Sequence, residues 1–130
     1  MKILPKKSLG QNFLTDVNII NKIINIGNIG INDEILEVGP GTGNLTNKII
    51  NKNPKKIFLI EKDNALCEEL KKRFENQAII FNQDILKSEE KKLSNKKLIV
   101  FGNLPYNIST KILVKWILSC DSSFWFKKLI

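Results

Sequence analysis

The chain has 130 residues, 42% hydrophobic and 26% charged, and a net charge of +8. That make-up fits one globular domain with a modest core and leaves no room for a second. It holds no apolar run near the roughly 18 residues that could span a bilayer, no signal-peptide pattern and no histidine, so membrane, secreted and imidazole-based chemistries are set aside and a cytoplasmic address is expected.

Taken in chain order, residues 16–26 carry Val17, Ile20, Ile23 and Ile24 at helical spacing, with Gly27 and Gly30 to stop the helix. Residues 34–38 read as a buried strand, followed by a glycine-rich turn and a helix over 44–51 that Pro54 ends. A second strand is expected over 56–61, a helix over 64–74 and a third strand over 77–81. Residues 88–96 read as a charged surface loop and nothing more, 97–102 as a fourth strand, 108–118 as a helix and 124–130 as the opening of a fifth strand. Strands alternating with helices imply right-handed crossovers and a mostly parallel, doubly wound α/β sheet covered on both faces. The last apolar residues, Leu129-Ile130, carry no cap or turn, so a truncated product is expected, with an exposed strand edge and marginal stability.

Cys67 and Cys120 are far apart in the chain and read as reduced thiols with no metal site. Lysine clusters such as Lys6-Lys7, Lys71-Lys72-Arg73 and Lys127-Lys128 favour a polyanionic partner, because neutralised phosphates release counterions; solvated helix faces are the alternative.

Gly39-Pro40-Gly41-Thr42-Gly43 follows the first strand and opens a helix, where glycine lets the backbone approach a ligand and the helix start offers free N–H groups. Glu61 ends the next strand, the place from which a carboxylate can take both hydroxyls of a ribose. Asp84 follows the third strand, placed to accept from an adenine amino group while Ile85 packs on the ring. The alternate glycines, with Glu37 just before them, resemble the first motif of class I methyltransferases more than a dinucleotide fingerprint.

Asn103-Leu104-Pro105-Tyr106 stands at the end of the fourth strand. An adenine amino nitrogen is a poor nucleophile because its lone pair is delocalised into the ring. Two acceptors on its hydrogens, the Asn103 amide oxygen and the Leu104 carbonyl held outward by Pro105, would favour pyramidalisation and aim the lone pair at a methyl donor without a general base. Tyr106 offers a stacking face to a flipped base.

Three stretches carry a specific resemblance: Lys7-Ser8-Leu9-Gly10-Gln11-Asn12-Phe13-Leu14, Glu37-Val38-Gly39-Pro40-Gly41-Thr42-Gly43-Asn44-Leu45-Thr46 and Gly102-Asn103-Leu104-Pro105-Tyr106-Asn107-Ile108-Ser109-Thr110. Together they are similar to the bacterial small-subunit (16S) ribosomal RNA adenine dimethyltransferases. The resemblance implies S-adenosylmethionine as cofactor and N6-dimethylation of two adjacent adenines of small-subunit RNA, in a pre-ribosomal subunit, by a monomer that uses no metal. It implies that Asn12 and Leu14 wrap the methionine end, that Gly39 and Gly41 lie in the glycine turn and that Glu61 takes the ribose. It also puts Asp84 and Ile85 on the adenine and Asn103 between methyl donor and target amine. By the same resemblance, residues 1–130 form an incomplete cofactor-binding domain that lacks the family's C-terminal helical RNA-binding domain and is inert alone. Methylation of large-subunit RNA and an inactive RNA-binding remnant stay open as alternatives.

Overall fold

The computed structural model describes residues 4–6 and 13–130. Its elements follow the chain as α1 (Val17–Gly27), β1 (Glu34–Val38), α2 (Asn44–Ile50), β2 (Lys56–Glu61), α3 (Asn64–Phe74), β3 (Ile79–Asn82), β4 (Leu98–Gly102), α4 (Tyr106–Leu118) and β5 (Phe126–Leu129). The five strands are all parallel and ordered β3-β2-β1-β4-β5.

Strands buried on both faces alternate their side chains between two cores. Ile35, Ile57, Leu59, Ile99 and Phe101 meet Ile20, Ile24, Leu45, Ile49, Leu70 and Phe74 of α1, α2 and α3. Leu36, Val38, Phe58, Ile60, Leu98 and Val100 meet Ile112 and Trp116 of α4 on the other side. The chain moves outward from β1 to β3 with its crossovers on one face, then returns to β4 and crosses on the other. Strand order therefore reverses between β1 and β4, where a crevice opens at the carboxyl ends of the strands. Among the described residues, no helix is long and apolar enough to cross a membrane.

Several boundaries differ from expectation for local reasons. Glycine is not what turns the chain after α1. Asn28 takes the left-handed position at φ 47°, while Gly27, the last helical residue, makes room for the Phe101 ring, which a Cβ there would meet at 2.5 Å. The third strand starts at Ile79 instead of residue 77, since the amides of Gln77 and Ala78 are spent on the Phe74 carbonyl closing α3. The last helix starts at Tyr106, two residues early, because Pro105 at φ −57° presents its carbonyl to the amides of Ile108 and Ser109. Residues 88–96 are more than a surface loop: Ser88 and Glu90 are buried, and a short 3-10 turn spans Glu90–Lys92.

Candidate active site

Register alone brings the sequence-predicted residues together. Val38 pairs with both Ile60 and Gly102, and Glu61 pairs with Asn82. The residues that leave these strands therefore stand side by side along one sheet edge, Gly39 between Glu61 and Asn103, with Asp84 beyond Asn82. At about 4.8 Å per strand, that edge is long enough to accept a nucleoside lying across it. The cleft above it has a volume of about 190 Å³ and is lined by Leu14, Gly39, Gly41, Glu61, Asp84, Ile85, Asn103, Leu104 and Pro105. Asn12 lies outside the described residues. Tyr106 does not line the cleft; it opens α4 and is 93% exposed.

The glycine turn is left-handed at three points, with φ of 64° at Gly39, 60° at Gly41 and 80° at Gly43. A side chain at Gly43 would strike Phe74 at 2.6 Å, so this glycine serves the packing of α2 on α3 as well as the turn. Gly39 N–H donates to the Ile60 carbonyl at 2.9 Å, and Asn44 Nδ2 donates to the Leu14 carbonyl at 2.9 Å, which ties the N-terminal segment to the cleft.

Glu61 is buried, and both of its carboxylate oxygens accept backbone amides. Gly41 N–H reaches Oε2 at 3.2 Å and Asp63 N–H reaches Oε1 at 2.9 Å. A carboxylate, with two oxygens side by side, can accept from both hydroxyls of a vicinal diol. Burial raises the Glu61 pKa, and the backbone amides of Asp63, Gly41 and Lys62 oppose that rise. Asp84 caps the 3-10 turn Ile85–Lys87 through Leu86 N–H at 3.0 Å, and its second oxygen lies 3.0 Å from Lys62 Nζ. The Leu86 amide and the Lys62 ammonium hold its pKa below the usual value against a partial burial. An ionised acceptor thus faces the cleft at that end.

Glu37 was not singled out as a site residue. It lines the cleft on the same sheet face as Glu61, is 2% exposed, and accepts from Thr46 Oγ1 at 2.6 Å. Burial, helped by the Glu61 charge, pushes its pKa up to about 7, with the Thr46 hydroxyl opposing. The clue in the sequence was a carboxylate at an inward position of Glu34-Ile35-Leu36-Glu37-Val38, where alternation with Ile35 turns it toward α2.

The lining is of a kind that suits a cationic nucleoside cofactor: backbone comes close at the glycines, and two buried carboxyls, Glu61 and Glu37, stand beside the turn.

Residues 4–128 match the ribosomal RNA adenine dimethylase family. The chain is 54% identical over 130 residues to the ribosomal RNA small subunit methyltransferase A of Pelagibacter ubique, covering all of this chain and 49% of that protein. It is similar in structure to a dimethyladenosine transferase from Plasmodium falciparum, with 32% identity and a TM-score of 0.73 over 87% of this chain and 40% of that one. The 23S rRNA methyltransferase ErmE superposes with a TM-score of 0.71 at 26% identity, over 83% of this chain and 43% of that one. The chain spans about half the length of the curated relatives it matches. Strand order and neighbours together make the fold a class I methyltransferase form of the doubly wound sheet, as expected.

Proposed function

Because the chain belongs to the ribosomal RNA adenine dimethylase family, we propose that its cleft binds S-adenosylmethionine and serves N6-dimethylation of two adjacent adenines in small-subunit ribosomal RNA during ribosome assembly. The observation that carries this reading is the parallel register that sets Asp84, Glu61, the glycine turn and Asn103 along one sheet edge. Small-subunit RNA is favoured over large-subunit RNA by the 54% identity to a small-subunit enzyme against 26% to the 23S enzyme.

When bound, the cofactor supplies an electrophilic methyl group on a sulfonium. Glu61 would hold the ribose hydroxyls with its two carboxylate oxygens, and Asp84 would accept from the adenine amino group with Ile85 against the ring. Leu14, whose carbonyl accepts from Asn44, would lie at the methionine end, and the Glu37 carboxyl would complement the positive charge there. In the first transfer the Asn103 amide oxygen and the Leu104 carbonyl would accept the two N–H groups of the target amine, fixing its nitrogen for in-line attack on the methyl. One amine proton passes to water as S-adenosylhomocysteine leaves, and in the second transfer a single N–H remains to be held. Tyr106, outside the cleft and exposed, offers its ring to the flipped adenine.

Transfer of labelled methyl groups to undermethylated ribosomal subunits tests the reading. The protein for the assay is a chimaera in which this chain replaces the stretch it matches in the Pelagibacter ubique relative. Label on small subunits and none on large subunits is expected. Label on large subunits alone would reverse the target, and label on neither would remove the activity.

A further inference from the structure

The segment after β3 holds the adenine end of the cleft, yet it is two short 3-10 turns, Ile85–Lys87 and Glu90–Lys92, with no long element of its own. Its anchor comes from across the molecule. Lys115 Nζ, on α4, donates to the Ile85 carbonyl at 2.6 Å, the Ser88 carbonyl at 2.6 Å and the Glu90 carboxylate at 2.8 Å. An ammonium has three donors, and all three are spent on this one loop. The Ser88 hydroxyl lies 2.9 Å from the Ile85 carbonyl and 2.7 Å from the Glu90 carboxylate, closing the loop on itself. Glu90 is 4% exposed, so removing the ammonium leaves a buried carboxylate without its countercharge, and the loop must open to hydrate it.

The two ends of this link matter for the site. Ile85, whose carbonyl Lys115 grips, lines the cleft next to Asp84, and α4 begins directly after Asn103-Leu104-Pro105. We propose that Lys115 is a positioning residue that sets the cofactor's adenine specificity, by locking the 85–90 loop to α4 so that Ile85 and Asp84 face the ring in a fixed geometry. This rests on the cofactor reading above. It adds that recognition of the ring's amino group depends on a side chain that never touches the cofactor.

The test compares S-adenosylhomocysteine with S-inosylhomocysteine, in which a carbonyl oxygen replaces the ring amino group, by calorimetric titration of this chain. The parent is expected to favour the adenosyl probe by about tenfold or more, since Asp84 would face an acceptor in the other. In Lys115→Met the ratio should fall toward unity, and Lys115→Arg, with donors enough for the same acceptors, should restore most of it. Partial unfolding lowers both affinities by the same folded fraction and leaves the ratio untouched, so the ratio separates positioning from mere stability. If Lys115→Met does not fold, Glu90→Gln, which keeps the two carbonyl contacts and removes the charge, must narrow the ratio partway. An unchanged ratio in the folded variants overturns the inference. A parent that binds neither probe overturns the cofactor reading beneath it, and a parent that binds both alike overturns the role of Asp84.

Discussion

Glu61, inside the cleft, and Tyr106, outside it, could hardly differ more in surroundings: 6% exposed against 93%. On the Glu61 side, polar groups are buried and spoken for. Glu61 accepts from Gly41 and Asp63, Glu37 accepts from Thr46, and the glycine turn packs on Phe74. On the Tyr106 side, Asn103 and the start of α4 lie open to solvent. The contrast matches the two substrates of the proposed reaction. A small cofactor can be enclosed by groups fixed in advance, whereas a base on a large RNA must arrive from outside, so its contacts stay exposed until it does.

The sharpest break of this comparison is Asn103→Ala, measured in the chimaera as methyl transfer per active site. The exposed side is expected to carry the chemistry and little of the fold, so turnover should drop roughly 10²–10³-fold, with the thermal midpoint close to the parent's. Turnover within a few-fold of the parent would take the mechanism away from this residue.

The enclosed side should instead report through stability and pH. A carboxyl whose folded pKa lies above its unfolded value contributes stability below the unfolded pKa and loses it as pH rises through the folded one. For Glu37 that window runs from 4.5 to about 7. Replacement by Gln keeps the acceptor for Thr46 and removes the titration. Glu37→Gln should therefore be more stable than the parent at pH 8, by on the order of 3 kcal/mol, with the advantage vanishing near pH 4. Denaturant melts at the two pH values check this, and an equal difference between variant and parent at both would show that folding does not raise the Glu37 pKa.

Tyr106→Ala sharpens the contrast from the other direction. Folding should change by less than about 0.5 kcal/mol, because the ring touches little of the core. RNA binding should weaken by about 1–3 kcal/mol through lost stacking. Smallest of all is Lys62→Met. Its ammonium pairs with Asp84 but is 60% exposed, and such pairs contribute about 0–1 kcal/mol, so cofactor affinity should hardly move.

The elements that the sequence made legible are those whose cause is local. The bounds of β1, β2 and α3 fall where expected because each is an apolar run flanked by a turn or a cap, such as Asp63 before α3. That Gly39, Gly41, Glu61, Asp84 and Asn103 share one cleft was legible because parallel strands deliver their last residues to one edge. What stayed hidden depends on contacts across the chain. The start of β5 at Phe126 instead of residue 124 goes with a register irregularity between Leu98 and Ile99. The burial of Glu90 depends on an ammonium 25 positions away on α4. Glu37 became a site residue only once α2 brought Thr46 to it.

In the proposed function, Glu61 and the backbone amides around it form the ribose seat of an S-adenosylmethionine cleft. Calorimetric titration of this chain with S-adenosylmethionine, parent beside Glu61→Ala, tests it most directly. One site per chain in the parent and an affinity lower by about tenfold or more in the variant are expected, since two hydroxyls lose a charged acceptor. Parent-like affinity in Glu61→Ala, with the variant folded, would contradict it.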